Sequence, residues 1–298
     1  MGNGWDKGIL SFDCKPDRYG DRTAVWAELH VRYKDGTEEV IATDESWSVR
    51  TGQIRYSEIY MGETIDTNAP DIREGKVSAV PEAVFRPTAL TPQLNEPVRV
   101  DERLKAKRVF TDPKGNILVD FGQNLTGLVE IRIRGEKGQK ITVRHAETLD
   151  QDGVFYPDTL RTAKSEDTYI LNGEEQVLMP HFTFHGFRYA AVEGIENPRP
   201  EMFTACVMHS DMRKTGEFRC SNEKVSNISW SLRDNFFDIP SDCPQRDERL
   251  GWMGDAQVFS WTAAFNRETA LFFTKWMRDI SAASSLERGV PHIVPDIQ

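Results

Sequence analysis

Long apolar runs are missing from this sequence, and so is any surplus of positive charge. No stretch approaches the roughly 18 apolar residues that span a bilayer, and no basic-then-apolar segment opens the chain. Neither a membrane span nor a secretion signal is visible, and localisation stays open. The net charge of -10 lacks the basic footprint that nucleic acid demands, while a neutral polar substrate fits it well. Cysteine is scarce: Cys14, Cys206, Cys220 and Cys243 show no paired metal-ligand spacing and make no disulfide scaffold. Carboxylates on either side of Cys243 would raise its pKa, so a buried packing role is expected for it rather than nucleophilic chemistry. No glycine-rich nucleotide loop occurs.

What is present is a chain of 298 residues, 39% hydrophobic and 28% charged, enough for two or three domains with their own cores. Trp26 to Tyr33 alternates apolar and polar, Lys34-Asp35-Gly36 is a turn signal, and Glu39 to Thr43 resumes the alternation, which predicts a hairpin. Trp26 and Trp47 are expected in a β-sandwich core. Ile54 to Tyr60 and Gly62 to Asp66 read as further extended pieces; Glu63 and Asp66 could face a sugar or a calcium ion, though such carboxylates are common in loops. From Glu74 to Asp101 the prolines predict an irregular connection with one or two edge strands. A boundary near residues 95–105 follows.

Strands then come in quick succession at Arg108–Phe110, Asn116–Val119, Gly127–Ile133, Lys140–His145, Thr168–Ile170 and Phe182–Val192, separated by turn signals. Such punctuation predicts an antiparallel sandwich rather than a doubly wound fold. Asp120 and Asn124 are expected to make a turn by bonding their own backbone. His145 and Glu147 share a strand face and could reach a ligand if that face lines a cleft. His185 is expected hydrogen-bonded in the core and Arg188 paired.

The period changes after about residue 212. Ser221-Asn-Glu-Lys reads as a helix cap, and Val225, Ile228, Ser229, Leu232 and Phe236 recur at helical spacing. Ala256–Phe265 and Thr269–Leu286 predict two more helices, the second with a stripe of Leu271, Phe272, Trp276 and Ile280. Three such helices cannot close a large helical core, so the start of a helical domain with an exposed apolar surface is expected. The units are read as 1–100, 101–210 and 211–298.

Between the first two helices lies the densest chemistry. Asp238 to Asp255 holds five acidic residues, two arginines, a tryptophan and two prolines in eighteen positions. Pro240 and Pro244 prevent regular structure, so Asp242, Asp247, Glu248 and Asp255 are presented by a turn-rich loop that enters a helix after Gly254. Neighbouring carboxylates push their pKa values apart, and Trp252 offers a flat face on which sugar rings stack. Glycosidic hydrolysis fits this set, against a metal-binding loop or a structural ion-pair network; with no histidine near and Arg246 and Arg249 competing, no metal or cofactor is assigned.

Asp242-Cys-Pro-Gln-Arg-Asp-Glu-Arg-Leu-Gly-Trp-Met-Gly-Asp255 resembles the signature of the bacterial α-L-rhamnosidases of glycoside hydrolase family 78. Asp120-Phe-Gly-Gln-Asn-Leu-Thr-Gly127, His145-Ala-Glu147, Asp167-Thr-Tyr169 and Phe184-His-Gly-Phe-Arg-Tyr189 are similar to the sandwich preceding that family's catalytic barrel. Gly2-Asn-Gly-Trp5, the Trp26 to Trp47 hairpin and Tyr60-Met-Gly-Glu63 match the sandwich before it. The resemblance implies two antiparallel β-sandwich domains followed by the first helices of an (α/α)6 barrel.

It also implies an inverting hydrolase that removes terminal α-L-rhamnose from oligosaccharides, polysaccharides or plant glycosides. Glu248 would be the general acid, Asp242, Arg246 and Asp255 would hold the sugar hydroxyls, and Trp252 would line the pocket. The family's general base has no counterpart in these residues, so they are expected to be inactive alone. Some relatives carry a calcium-dependent rhamnose-binding module near residues 1–95; Gly62-Glu-Thr-Ile-Asp-Thr-Asn68 departs from its pattern, which favours scaffolding. The alternative function is a non-catalytic carbohydrate-binding accessory protein.

Overall fold

The computed structural model describes residues 2–69, 72–78, 91–222 and 228–297. After a single helical turn, α1 (Gly4–Lys7), the expected hairpin forms from β1 (Glu28–Arg32) and β2 (Glu38–Ala42), with Glu28 opposite Ala42. β3 (Ser48–Arg50) pairs with β6 (Glu74–Lys76), and β4 (Ile54–Glu58) with β5 (Gly62–Asp66). Trp26 and Trp47 depart from expectation: they are 50% and 42% exposed, not core residues. Period-two alternation set the faces of the hairpin, but among the described residues β1 and β2 pair only with each other. The Trp47 indole instead donates to the Ala42 carbonyl at 3.1 Å.

The remaining strands are β7 (Val98–Lys105), β8 (Arg108–Thr111), β9 (Ile117–Arg134), β10 (Lys140–Ala146), β11 (Glu166–Ile170), β12 (Glu175–Leu178), β13 (His185–Glu193) and β14 (Phe203–Ser210). Together with β4 and β5 they form one ten-stranded sheet in the order β4-β5-β11-β10-β13-β9-β14-β7, with β8 and β12 also paired to β9. Every pairing in it is antiparallel except β5 with β11. Through that pair, strands from the first hundred residues extend the sheet of the second unit.

β9 turns the sheet over on itself. Its first residues lie between β8 and β13, whereas its later residues pair with β14 and β12, so one 18-residue strand serves two layers. The sequence suggested two strands broken by a turn at Asp120–Asn124. The chain bends there without reversing. Gly122 takes φ +80, and Asp120 bonds its amide at 2.8 Å as expected of a turn maker, while also accepting from Arg188 and Arg108. Asn124 is no turn maker: it sits within the strand and donates to Glu147 at 2.9 Å. Inside the fold, Val119, Phe121, Leu125 and Ile131 pack on Ile141, Tyr169, Phe187 and Phe203. About 1.5 to 3 kcal/mol per fully buried large side chain drives that closure.

The chain then becomes helical: α2 (Ile228–Asn235), the two-residue strands β15 (Phe236–Phe237) and β16 (Ile239–Pro240), β17 (Gly251–Trp252), α3 (Met253–Asn266), α4 (Ala270–Ala283) and β18 (Ile293–Val294). Glu223, Lys224 and Val225 of the expected first helix lie outside the described residues. Leu232, Phe236 and Phe272 bury together, with the Phe236 and Phe272 rings stacked at 4.8 Å. On α4 the expected stripe holds at Phe272, Trp276 and Ile280, but Leu271, next to Phe272 and turned 100° away by helical geometry, is exposed. α3 leaves Val258, Trp261 and Phe265 largely exposed, the apolar surface expected of this segment. No helix among the described residues is long and apolar enough to cross a membrane.

Candidate active site

The loop from Asp242 to Leu250 is closed at its base and filled from within. The Asp242 amide donates to the Leu250 carbonyl at 2.9 Å, and the Leu250 amide donates to Asp242 Oδ1 at 3.1 Å. Beside that closure the Arg249 backbone takes φ +58, uncommon for a side chain of that bulk. That conformation turns its guanidinium inward, where Nη1 donates to the Phe184 carbonyl at 2.8 Å and Nε to the Arg246 carbonyl at 3.1 Å. Burial pushes this guanidinium down to about 10. The loop rests on β13 at Gly186, where an added Cβ would meet Pro244 Cγ at 2.7 Å and the Gln245 nitrogen at 2.9 Å. Only glycine permits that approach.

Four of the five residues singled out in the sequence come together here. Glu248 Oε1 accepts from the Trp252 indole at 2.9 Å, and Oε2 accepts from Arg246 Nε at 3.0 Å. Arg246 Nη2 bonds Asp242 Oδ2 at 2.8 Å. Asp255 stands apart, exposed on the first turn of α3, which starts one residue ahead of the expected Gly254. Asp247 turns away from this set and accepts from the Thr162 amide and hydroxyl.

Burial alone would raise the Glu248 carboxyl, but the Trp252 donor and the Arg246 and Arg161 charges outweigh it and hold Glu248 below the ordinary carboxylate range. Asp242 moves the other way, raised by burial and by the Glu248 charge. The two carboxyls are therefore split, as neighbouring acids in a protein site are.

Three contacts were not legible in the sequence. Arg161, from the connection between β10 and β11, places Nη1 3.0 Å from Glu248 Oε2. Thr162 binds Asp247, and the Tyr60 hydroxyl donates to the Glu248 carbonyl at 2.9 Å. Nothing local marks these residues, because their partners lie 85 to 188 positions away.

Among the described residues, two groups bring possible metal-ligand atoms within 4.8 Å of one another. In Asp242, Cys243 and Glu248, Arg246 already bridges both carboxylates, and burial pushes the Cys243 thiol up to about 12, so it is protonated at neutral pH. Cys243 is the buried packing residue expected. The other group is His145, Asp167 and His185, fully inside the sandwich: His185 bonds Asp167 at 3.1 Å and the two imidazoles stack at 4.1 Å. His145 thus faces the core and not a cleft, while Arg188 pairs with Asp120 and His185 is hydrogen-bonded, as expected. Glu63 is likewise consumed, its oxygens accepting the His181 and Phe182 amides. Asp66 accepts from Asn68 in a local turn.

Three family models match in succession: the α-L-rhamnosidase N-terminal domain over residues 1–102, the bacterial α-L-rhamnosidase concanavalin-like domain over 110–209, and the bacterial α-L-rhamnosidase six-hairpin glycosidase domain over 213–298. An α-L-rhamnosidase of Streptomyces avermitilis is 38% identical over 309 residues, covering 99% of this chain and 30% of the relative. One from Formosa agariphila is 37% identical over 313 residues, covering 99% and 34%. Among solved structures, the Streptomyces avermitilis α-L-rhamnosidase complexed with L-rhamnose superposes with a TM-score of 0.90 at 37% identity, over 99% of this chain and 30% of that one. The native enzyme of Aspergillus terreus gives 0.90 at 39% identity, over 100% and 36%. The fold is therefore two β-sandwich domains followed by the first helices of an (α/α)6 barrel. Spanning about a third of the length of the relatives it matches, this chain belongs to the α-L-rhamnosidases of glycoside hydrolase family 78.

Proposed function

We propose that this chain carries the proton-donating side of an α-L-rhamnosidase site (EC 3.2.1.40), for inverting hydrolysis of terminal α-L-rhamnose on an oligosaccharide, polysaccharide or plant glycoside. The observation that carries the reading is the Glu248 carboxyl, buried at the base of the loop and oriented on both oxygens by Trp252 and Arg246. Glu248 is the general acid that protonates the glycosidic oxygen as the bond to the anomeric carbon breaks. Asp242, Arg246 and Asp255 hold the rhamnose hydroxyls, and Trp252 walls the sugar. Asp255 lies exposed on the first turn of α3, apart from the other four in this structure.

Inversion requires a second carboxylate about 6.5 to 9.5 Å from the acid to activate water. None of these residues is assigned that role, so the 298 residues by themselves are expected to bind L-rhamnose without turning over an aryl α-L-rhamnoside. Calorimetry with L-rhamnose and a chromogenic rhamnoside assay test both halves. Loss of binding in Asp242→Asn and Trp252→Ala supports the site. Binding that survives both places the sugar elsewhere, and turnover abolished by Glu248→Gln would put the water-activating group inside this chain. The alternative of a separate sugar- or calcium-binding module gains no support from Glu63, whose carboxylate is buried and occupied by two amides.

A further inference from the structure

Arg161 follows a single 3-10 turn, Asp158–Leu160, and its backbone sits at φ 57 and ψ -116. A non-glycine residue holds such a conformation only where its surroundings impose it. Both neighbours do so. Leu160 is buried with Tyr60 and Ala163, and Thr162 is bonded through its amide and hydroxyl to Asp247. The strained backbone aims the guanidinium at the acidic loop, with Nη1 at 3.0 Å from Glu248 Oε2 and 3.7 Å from Asp247 Oδ1.

Glu248 consequently receives three donors on two oxygens: the Trp252 indole, Arg246 Nε and Arg161 Nη1. A carboxylate accommodates all three. A carboxylic acid has only three acceptor sites beside its O–H, so with all three donors in place it carries its proton on Oε1, next to the Trp252 donor, while both guanidiniums stay on Oε2. Both guanidiniums on Oε2 oppose proton uptake by Glu248, so withdrawal of one of them eases it. Arg246 is fixed by Asp242 and its side chain is 28% exposed, whereas that of Arg161 is 47% exposed. Water reaches Arg161 most readily, so it is the donor free to leave.

We propose that Arg161, supplied by the sandwich rather than by the helical segment, is a positioning residue that decides when Glu248 takes up its proton. With Nη1 on Oε2 the carboxylate is favoured. When the guanidinium swings into solvent, Glu248 binds a proton from water more readily, and the guanidinium keeps its charge throughout. The consequence for hydrolysis rests on Glu248 being the acid; proton uptake itself does not.

The test is a carbon-13 titration of glutamate carboxyls in the 298-residue chain, with the Glu248 signal identified by its loss in Glu248→Gln. Arg161→Met is expected to raise the Glu248 midpoint by about one pH unit or more, the effect of removing an adjacent opposite charge, and Arg161→Lys to restore most of it. A Glu248 midpoint unchanged in Arg161→Met overturns the proposal. So does a rise that Arg161→Lys leaves in place, since that would mark lost packing and not lost charge. Because the readout is proton binding, it is independent of rhamnoside binding or turnover.

Discussion

The Tyr60 hydroxyl donates to the main-chain carbonyl of Glu248 at 2.9 Å, joining residues 188 positions apart. The same oxygen accepts the Ser11 amide at 2.9 Å, so one buried phenol links the N-terminal segment, the sheet edge and the acidic loop. Tyr60→Phe preserves the ring but leaves a buried carbonyl and a buried amide without this partner. Each such group costs about 1 to 3 kcal/mol. The urea midpoint of Tyr60→Phe should fall accordingly, and a midpoint equal to that of the parent would mean that water replaces the hydroxyl at no cost.

The sequence-to-structure agreement follows the range of the interactions involved. The hairpin of β1 and β2, the buried face of α4 and the gathering of Asp242, Arg246, Glu248 and Trp252 depend on residues close in the chain, where periodicity and turn chemistry act directly. Arg161 and Tyr60 join Glu248 only through tertiary packing, which composition does not encode locally. Asn124 was misread for a related reason: its side chain is taken by Glu147, 23 positions on, in preference to its own backbone. Trp26 and Trp47 show the limit of alternation, which tells which side chains share a face and not whether another layer covers it.

Acid should destabilise the sandwich through its buried imidazoles. Burial holds His145 neutral down to about 3 in the folded protein, from an ordinary 6.5, and His185 is lowered by the same cause. Below pH 6.5 the unfolded chain therefore binds protons that the folded one does not, and stability falls with pH towards 3. Asp167 opposes this. Its carboxyl, raised by burial from 3.8 to about 6, lets the folded state bind the extra proton between those values. Two imidazoles against one carboxyl leave a net loss on acidification. His145→Gln should reduce the fall in urea-measured stability between pH 6.5 and 4.5 by about 2 kcal/mol. An unchanged pH slope would show that His145 is protonated within the fold.

Thiol reactivity offers a direct probe of the loop. Cys220 is exposed, whereas Cys243 is 3% exposed and its thiol is pushed up to about 12 by burial and the Asp242 charge. At pH 8 an aromatic disulfide reagent, followed by mass spectrometry, should label Cys220 readily and Cys243 only as the protein unfolds. Labelling of both at one rate would mean that the loop opens in the native state.

Trp252 combines two roles that substitution can separate. Its indole nitrogen donates to Glu248, and its ring is the surface proposed to wall the sugar. Trp252→Phe keeps a flat apolar ring but removes a donor to a charged acceptor, an interaction worth about 1.5 to 3 kcal/mol. Losing a donor to the ionised form favours the protonated one, so the Glu248 midpoint should move up in Trp252→Phe. L-rhamnose affinity should change little. Trp252→Ala should raise the same midpoint and also weaken L-rhamnose about tenfold, as expected for the loss of one aromatic contact near 1.4 kcal/mol. Equal affinity losses in both variants would show that the sugar depends on the oriented Glu248 carboxylate and not on the ring.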